Sequence, residues 1–345
     1  MIKLLSPRMP PKEAVFLYLQ KSEEANHWTN FGPCVRLLEE RLSKHYAGAY
    51  VVTCSSATSG LELVYTLKMI QGYRKIELPA LTFPATWLAA NRSGLAIKPI
   101  DVDPDTWIAP GVSGFGLPCY APVVDAAGAF GEQQVPIVRG GMTAVFSLHA
   151  TKPLGCGEGG YLVTWDHAEA EELRRMTNFA IDKGVSYGMG WNAKMSEYHA
   201  AIALSALDAW DRDPWLNLYD WYAKHLPAGV VAQKRPRGVY SLMPVKLPVP
   251  AQPVLEQLKE VGIETRRWYC PPLHRHPLFE KQGSRAERRA HPVSLPVTDH
   301  LATHLLGLPW HTYLTESDVE RVCEALGEIV NLTEKRKVDN ERLAA

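Results

Sequence analysis

The sequence has no apolar run approaching bilayer length, no Cys-x-x-Cys or other paired cysteine spacing, no internal repeat and no low-complexity tract. The first absence excludes a membrane-spanning helix, which needs about 20 consecutive apolar residues. The second argues against a disulfide framework or a metal site: Cys34, Cys54, Cys119, Cys156, Cys270 and Cys323 are scattered, and buried thiols are their simplest reading. Cys156 alone sits in a glycine loop, where it could be exposed. Net charge is lacking too. Lys+Arg 37 balances Asp+Glu 37, so no global field steers the chain to nucleic acid or to an anionic membrane, and a small molecule is the expected partner. The opening stretch MIKLLSPRMPPKEAVFLYL carries prolines and a glutamate where a signal peptide needs an apolar run, so a cytoplasmic protein is expected.

What is present is an alternation of strand-like and helix-like segments from about residue 50. YVVTC (50–54), KIEL (75–78), AIKPIDVD (96–103), APVVD (121–125), TAVFSL (143–148) and GYLVTW (160–165) read as strands, the last three as central ones. Helices are expected from about Thr58 to Ile70, around TWLAANRS (86–93), after Asp166 as N-cap, and over a long stretch from Ser196 to about Leu226. Such alternation implies βαβ crossovers and a mainly parallel sheet, an α/β fold. After residue 226 the pattern changes to a strand (239–248), a helix (253–262), a proline-broken loop and a final helix from about Glu316 to Lys335. The expected division is a large domain with an N-terminal arm over 1–225 and a smaller α+β domain over 226–345.

The segment HATKPLGCGEGGYLVTW contains G-x-G-x-x-G at Gly155, Gly157 and Gly160. A dinucleotide fingerprint needs a helix opening at the last glycine, because the helix N-terminus holds the pyrophosphate. Gly160 instead opens a β-rich run, so the glycines join two strands and the fingerprint fails on context. That leaves Lys152, at the end of a buried strand. A solvated surface lysine fits the position as well as an amine nucleophile depressed by burial, of the kind pyridoxal phosphate (PLP) engages as a Schiff base.

Other segments offer what that cofactor needs. Asp125 ends a strand at the edge where a parallel sheet opens its ligand crevice, and an acid there suits the pyridine nitrogen; a structural salt bridge suits it equally. CSSATSGLEL places Ser56, Ala57 and Thr58 at a helix N-terminus, where an anion is favoured, and Ser147 could add a hydroxyl. Phe83 follows a strand end and offers a ring face, although core packing is the commoner role for such a residue.

Taken in order, TNFGP, CSSATSGLEL, LPALTFPAT, VVDAAGAFG, FSLHATKPLGCGEGG, GWNAKMSEYHAA and GIETRRWYCPPLHRHPLF resemble the DegT/DnrJ/StrS-type sugar aminotransferases. The likeness runs from about residue 10 to residue 330. It implies an aspartate aminotransferase-like fold of type I, with a mainly parallel seven-stranded sheet in the large domain. It implies Lys152 as the Schiff-base lysine, Asp125 at the pyridine nitrogen, Ser56, Ala57, Thr58 and Ser147 at the phosphate, and Phe83 over the ring. Asn192 matches an asparagine that reaches the phosphate of the neighbouring subunit, which implies a homodimer with shared active sites. His149 matches the family's histidine before the lysine. Two positions depart from the pattern: Gly128 stands where a glutamine is usual, and Lys194 where an arginine is common.

The activity implied is transfer of an amino group from L-glutamate to a keto-sugar, nucleotide-linked as in amino-sugar biosynthesis. Retention of Lys152 favours transamination over the dehydration carried out by relatives with histidine there. A cyclitol acceptor, a dehydratase outcome and a non-catalytic regulatory protein of the same fold are the alternatives. For the acceptor, ETRRWYCPPLHRH offers Arg266, Arg267, Trp268, His274, Arg275 and His276, with Lys194 as a further candidate; a solvated polar face is the competing reading.

Overall fold

The computed structural model describes residues 1–109, 119–120, 123–130, 142–280 and 293–344, the side chains of 119, 120, 280 and 336–344 excepted. Of the strand expected over 121–125, the first two residues lie outside that set. Among the described residues the first half contains the strands β1 (Tyr50–Cys54), β2 (Lys75–Pro79), β3 (Ala96–Ile100), β4 (Cys119–Tyr120), β5 (Val123–Asp125), β6 (Thr143–Ser147) and β7 (Gly160–Thr164). Five form one sheet in the order β1-β7-β6-β5-β4, so β5, β6 and β7 are central, as their unbroken apolar runs require. β2 and β3 form a separate parallel pair.

The strands β1, β5 and β6 point the same way, but β7 is antiparallel to both its neighbours. The physical reason is the connection. A parallel return needs a crossover, usually a helix, whereas residues 148–159 form only a looped turn. The three parallel strands therefore bring their carboxyl ends, with Cys54, Asp125 and Ser147, to one edge.

Alternate residues of these strands face opposite helical layers. Val51, Val124, Ala144, Phe146, Tyr161 and Val163 pack with α1 (Lys12–Glu24), α2 (Pro33–His45) and the helix Glu197–Asp208. Val52, Val123, Val145 and Leu162 pack on the other face with α3 (Ala57–Ile70), α4 (Pro84–Arg92) and α5 (His167–Met176). Asp166 caps α5 as expected, its Oδ1 accepting from the amides of Ala168 and Glu169 at 2.8 and 3.2 Å.

The single helix expected from Ser196 to Leu226 is two: α6 (Glu197–Asp208) and α7 (Asp213–His225). Pro214 is the reason. It lacks an amide proton and its ring would clash with the preceding turn inside a helix, so it serves as a first-turn residue of a new helix rather than as the interior of one. Trp215, Leu218 and Tyr222 of α7 then join a separate core with α8 (Ala251–Glu260), the terminal helix Glu316–Ala344 and an antiparallel sheet of Val231–Ala232, Met243–Lys246 and Leu305–Leu308. The strand expected over 239–248 pairs only across Met243–Lys246.

Between α5 and α6 runs a hairpin absent from the sequence reading, Ile181–Asp182 against Val185–Ser186. Lys183 and Gly184 form its two-residue turn, both in the left-handed region at φ 47° and 82°.

Candidate active site

The carboxyl edge of the main sheet gathers the residues singled out in the sequence. Ser56 is the N-cap of α3, its hydroxyl accepting from the Ser59 amide at 3.1 Å. The amides of Ala57 and Thr58, one step into the helix, have no backbone or side-chain acceptor among the described residues. Ser147 ends β6 directly opposite Gly160, which opens β7 and pairs on its other side with Cys54. A Cβ on Gly160 would stand 2.5 Å from the Ala57 amide nitrogen and 2.7 Å from the Ser56 carbonyl carbon. Glycine at this position is therefore what lets the N-terminus of α3 approach Ser147, and the two hydroxyl-bearing segments meet there. The last glycine of the motif thus acts on a neighbouring helix, whose open N-terminal amides are able to receive an anion, not on one of its own.

The loop carrying Lys152 folds back on itself. The Lys152 amide donates to the His149 carbonyl at 2.8 Å, and the His149 ring Nδ1 meets the Thr151 hydroxyl at 2.9 Å. Gly157 turns the loop with φ +98°. Cys156 within it is fully buried, contrary to the open position considered for it, and burial pushes its thiol up to about 12.

Burial depresses the Lys152 amine below the ordinary lysine range, opposed by the negative charge of Asp125. Burial raises the Asp125 carboxyl, opposed first by the Thr86 hydroxyl, which donates to Oδ2 at 2.7 Å, then by the Ala127 amide, which donates to Oδ1 at 3.1 Å, and by Lys152. No cationic side chain lies within ion-pairing distance of Asp125 among the described residues. A buried acid without a counter-ion suits a ligand that brings a positive charge.

Phe83 is the N-cap residue of α4 and stands 57% exposed, a large aromatic face left open beside the crevice. Thr86, three residues on in the same helix, went unnoticed in the sequence because nothing local ties it to residue 125. Tyr269 was missed for the same reason; it sits at φ +58° with its phenol pushed up to about 12 by burial and, secondarily, by the charge of Asp125. The loop carrying it returns to this edge, the Leu273 amide donating to the Ala80 carbonyl at 2.9 Å.

The substrate candidates separate. Arg267 donates to the Ala302 carbonyl at 2.7 Å and to Gln252 at 3.3 Å, and His274 is buried with Nε2 3.1 Å from Asp299, next to Leu273 of the core on the α3 face of the main sheet, so both side chains are engaged within the fold. Arg275 shares Asp299 at 2.6 Å. Arg266 remains exposed, its guanidinium 4.7 Å over the Trp268 ring. Lys194 donates to the Asn178 side-chain oxygen at 2.6 Å rather than pairing with an acid. Asn192 is exposed, and its neighbour Ala193 accepts from the Ser55 amide at 2.7 Å, which sets this segment beside the α3 N-terminus.

Fold and site together define an aminotransferase of fold type I. The chain belongs to the DegT/DnrJ/EryC1/StrS aminotransferase family, which it matches over residues 11–110 and 121–327. It is 26% identical to the UDP-2-acetamido-2-deoxy-3-oxo-D-glucuronate aminotransferase of Pseudomonas aeruginosa, across 86% of this chain and 90% of that one. Its structure is similar to one from Bacillus cereus described as a PLP-dependent aminotransferase, with TM-score 0.82 and 28% identity over 94% of this chain and 99% of the other. It is equally similar to DesI, determined in the presence of its TDP-sugar product, with TM-score 0.82 and 28% identity over 97% and 95% of the two chains. No described helix is long and apolar enough to cross a membrane, and no group of metal-binding side chains occurs among the described residues.

Proposed function

We propose that the protein transfers an amino group from L-glutamate to a nucleotide-linked keto-sugar at Lys152, in a site shared by two copies of the chain. The observation that carries this reading is the meeting at one sheet edge of Asp125, Ser147 and the unclaimed amides of α3, with Lys152 in the loop that follows Ser147 and near enough to Asp125 for their charges to interact. The residues fit PLP: Lys152 would hold its carbonyl carbon, Asp125 its ring nitrogen, the Ala57 and Thr58 amides with Ser56 and Ser147 its phosphate, and Phe83 one ring face. PLP when bound supplies an electron sink for the carbon that loses its proton.

The protein's own part is proton handling and orientation. Burial depresses the Lys152 amine below the ordinary lysine range, which favours its free base, and Nζ would take the proton from the donor's Cα and return one to the acceptor carbon. Asp125 would hold the ring nitrogen of PLP, and its hydrogen bonds from Thr86 and Ala127 orient the carboxyl and oppose the effect of burial on its charged form. Of the arginines singled out in the sequence, Arg266 is exposed and stacked on Trp268, and would be the one left to meet the acceptor's anionic group. The exposed hairpin with Phe179, Ile181, Val185, Tyr187 and Met189 is the surface a second copy would cover, with Asn192 at its base.

The test is the visible absorption spectrum of the protein with PLP, before and after L-glutamate, beside Lys152→Ala. A yellow band of the lysine-bound cofactor should appear, bleach with glutamate, and be missing in the variant. No band in the wild type would remove Lys152 from its role. A band that glutamate leaves unchanged would remove the donor. Steady-state rates with both substrates should give parallel double-reciprocal lines, because one product leaves before the acceptor binds.

A further inference from the structure

Gly128 is three residues beyond Asp125, in a turn closed by the Ala129 amide donating to the Ala126 carbonyl at 3.0 Å. The same turn supplies the Ala127 amide that holds Asp125 Oδ1. Its backbone is not in the left-handed region, so the need for glycine here is one of space. A Cβ at 128 would stand 2.9 Å from Ser241 Oγ and 3.4 Å from Ser241 Cβ. What occupies that space is a hydroxyl from far along the chain: Ser241 Oγ donates to the Gly128 carbonyl at 3.0 Å, and Ser241 is only 7% exposed.

Ser241 lies on the seam between the two cores. Val239 is buried in the C-terminal core, while Tyr240 is buried in the core that also contains Val124, Ala126 and Ala129. The Tyr240 carbonyl accepts from the indole of Trp310, itself part of the C-terminal core, at 2.5 Å. The Ser241 hydroxyl is therefore a hydrogen-bonded contact between the segment leading into the C-terminal core and the turn that follows Asp125. This also explains why the strand expected from residue 239 begins its pairing only at Met243: the preceding residues are engaged with the other core.

We propose that Ser241 is a positioning residue for Asp125, so that the seating of the C-terminal unit sets how well the acid holds the cofactor. The proposal rests on the reading of Asp125 as the partner of the PLP ring nitrogen. With the Ser241 hydroxyl in place, the turn holds the Ala127 amide on Oδ1 and the carboxyl stays oriented. Without it, the Gly128 carbonyl loses its partner and the amide is free to drift from Oδ1.

The test uses the full-length protein freed of cofactor, with PLP affinity read from tryptophan fluorescence at several pH values and thermal stability read without PLP. Ser241→Ala should weaken PLP binding on the order of tenfold, the scale of one hydrogen bond to a charged group's support. It should also move the acidic limb of binding to higher pH. Gly128→Ala should do the same while lowering the melting temperature, because its methyl displaces Ser241. The double variant Gly128→Ala/Ser241→Gly removes that clash, so its melting temperature should return toward the wild type while PLP affinity stays low.

Recovery of both quantities in the double variant would show that the contact is packing alone and would overturn the proposal. So would a Ser241→Ala protein with wild-type affinity and an unmoved acidic limb. Failure of the wild type itself to take up PLP would instead overturn the reading of the site on which the proposal rests.

Discussion

Thr86 donates its hydroxyl proton to Asp125 Oδ2 at 2.7 Å, a fully buried side chain from the first turn of α4 holding the acid that ends β5. The same helix presents Phe83 at its N-cap, so one element both supports the acid and offers the open ring. Removing the hydroxyl without changing shape, as in Thr86→Val, should raise the Asp125 carboxyl further, because a hydrogen bond to the charged form is lost. PLP binding to the cofactor-free protein should weaken on the order of tenfold, with its acidic limb moved to higher pH. Thr86→Ser should behave as wild type. Fluorescence titration of PLP across pH checks this, and a Thr86→Val protein that binds normally would remove the role.

Asp125 should cost the cofactor-free fold stability at neutral pH. Its folded carboxyl lies above the ordinary value of 3.8 chiefly because burial disfavours the anion. An acid raised in the folded state contributes stability below its unfolded value and loses that contribution as pH rises through the folded value. Cofactor-free Asp125→Asn should therefore melt higher than wild type at pH ~7, with the gap closing on acidification below the ordinary carboxylate range. Its transamination rate should fall on the order of 10² to 10³, the cost of removing one preorganised charge. Equal melting temperatures of the two proteins at neutral pH would contradict the burial cost.

Gly160→Ala should disturb fold and cradle together. The added methyl meets the Ala57 amide nitrogen at 2.5 Å, backbone that cannot rotate away. A loss of about 1–3 kcal/mol is expected from urea denaturation, as for overpacked cores. Because the strain falls on the α3 N-terminus, affinity for PLP should drop more than affinity for pyridoxal, which lacks the phosphate. An equal drop for both ligands would separate the cradle from this glycine.

Phe83→Ala should dissociate stability from function. The ring is 57% exposed, so its removal should change unfolding free energy by no more than about 0.5 kcal/mol. PLP affinity should nevertheless fall several-fold, since ring stacking is worth about 0.5–1.5 kcal/mol. Parallel measurements of denaturation and PLP binding decide it; unchanged binding would leave Phe83 as an ordinary surface aromatic.

The hairpin between Phe179 and Met189 should be covered by a second copy. Two-residue strands do not hold a hairpin in water unaided, and Ile181 and Val185 are 40% and 50% exposed. Sedimentation should show a dimer for the wild type and a shift toward monomer for Ile181→Glu/Val185→Glu, with loss of transamination. A monomeric wild type with full activity would end the shared-site proposal.

The sequence by itself determined the features that depend on near neighbours. The strand that ends at Asp125, the run that carries Ser147, the Ser56 and Asp166 caps, and the strand that follows Gly160 are all written in short-range propensity, and they sufficed to reject a dinucleotide loop and single out Lys152 as a candidate. Only the tertiary structure decided what depends on residues far apart in the chain. It reversed β7 through a loop too irregular to cross over, split one expected helix near Pro214, buried Cys156, and engaged Arg267 with Ala302 and His274 with Asp299. It also brought Thr86 and Ser241 to Asp125 and its turn from 39 residues before the acid and from the far side of the seam. Such contacts carry no sequence period, because a hydroxyl serves a turn, a cap or a distant carboxylate with the same chemistry. Which of these it serves is fixed only when packing has excluded water from the others.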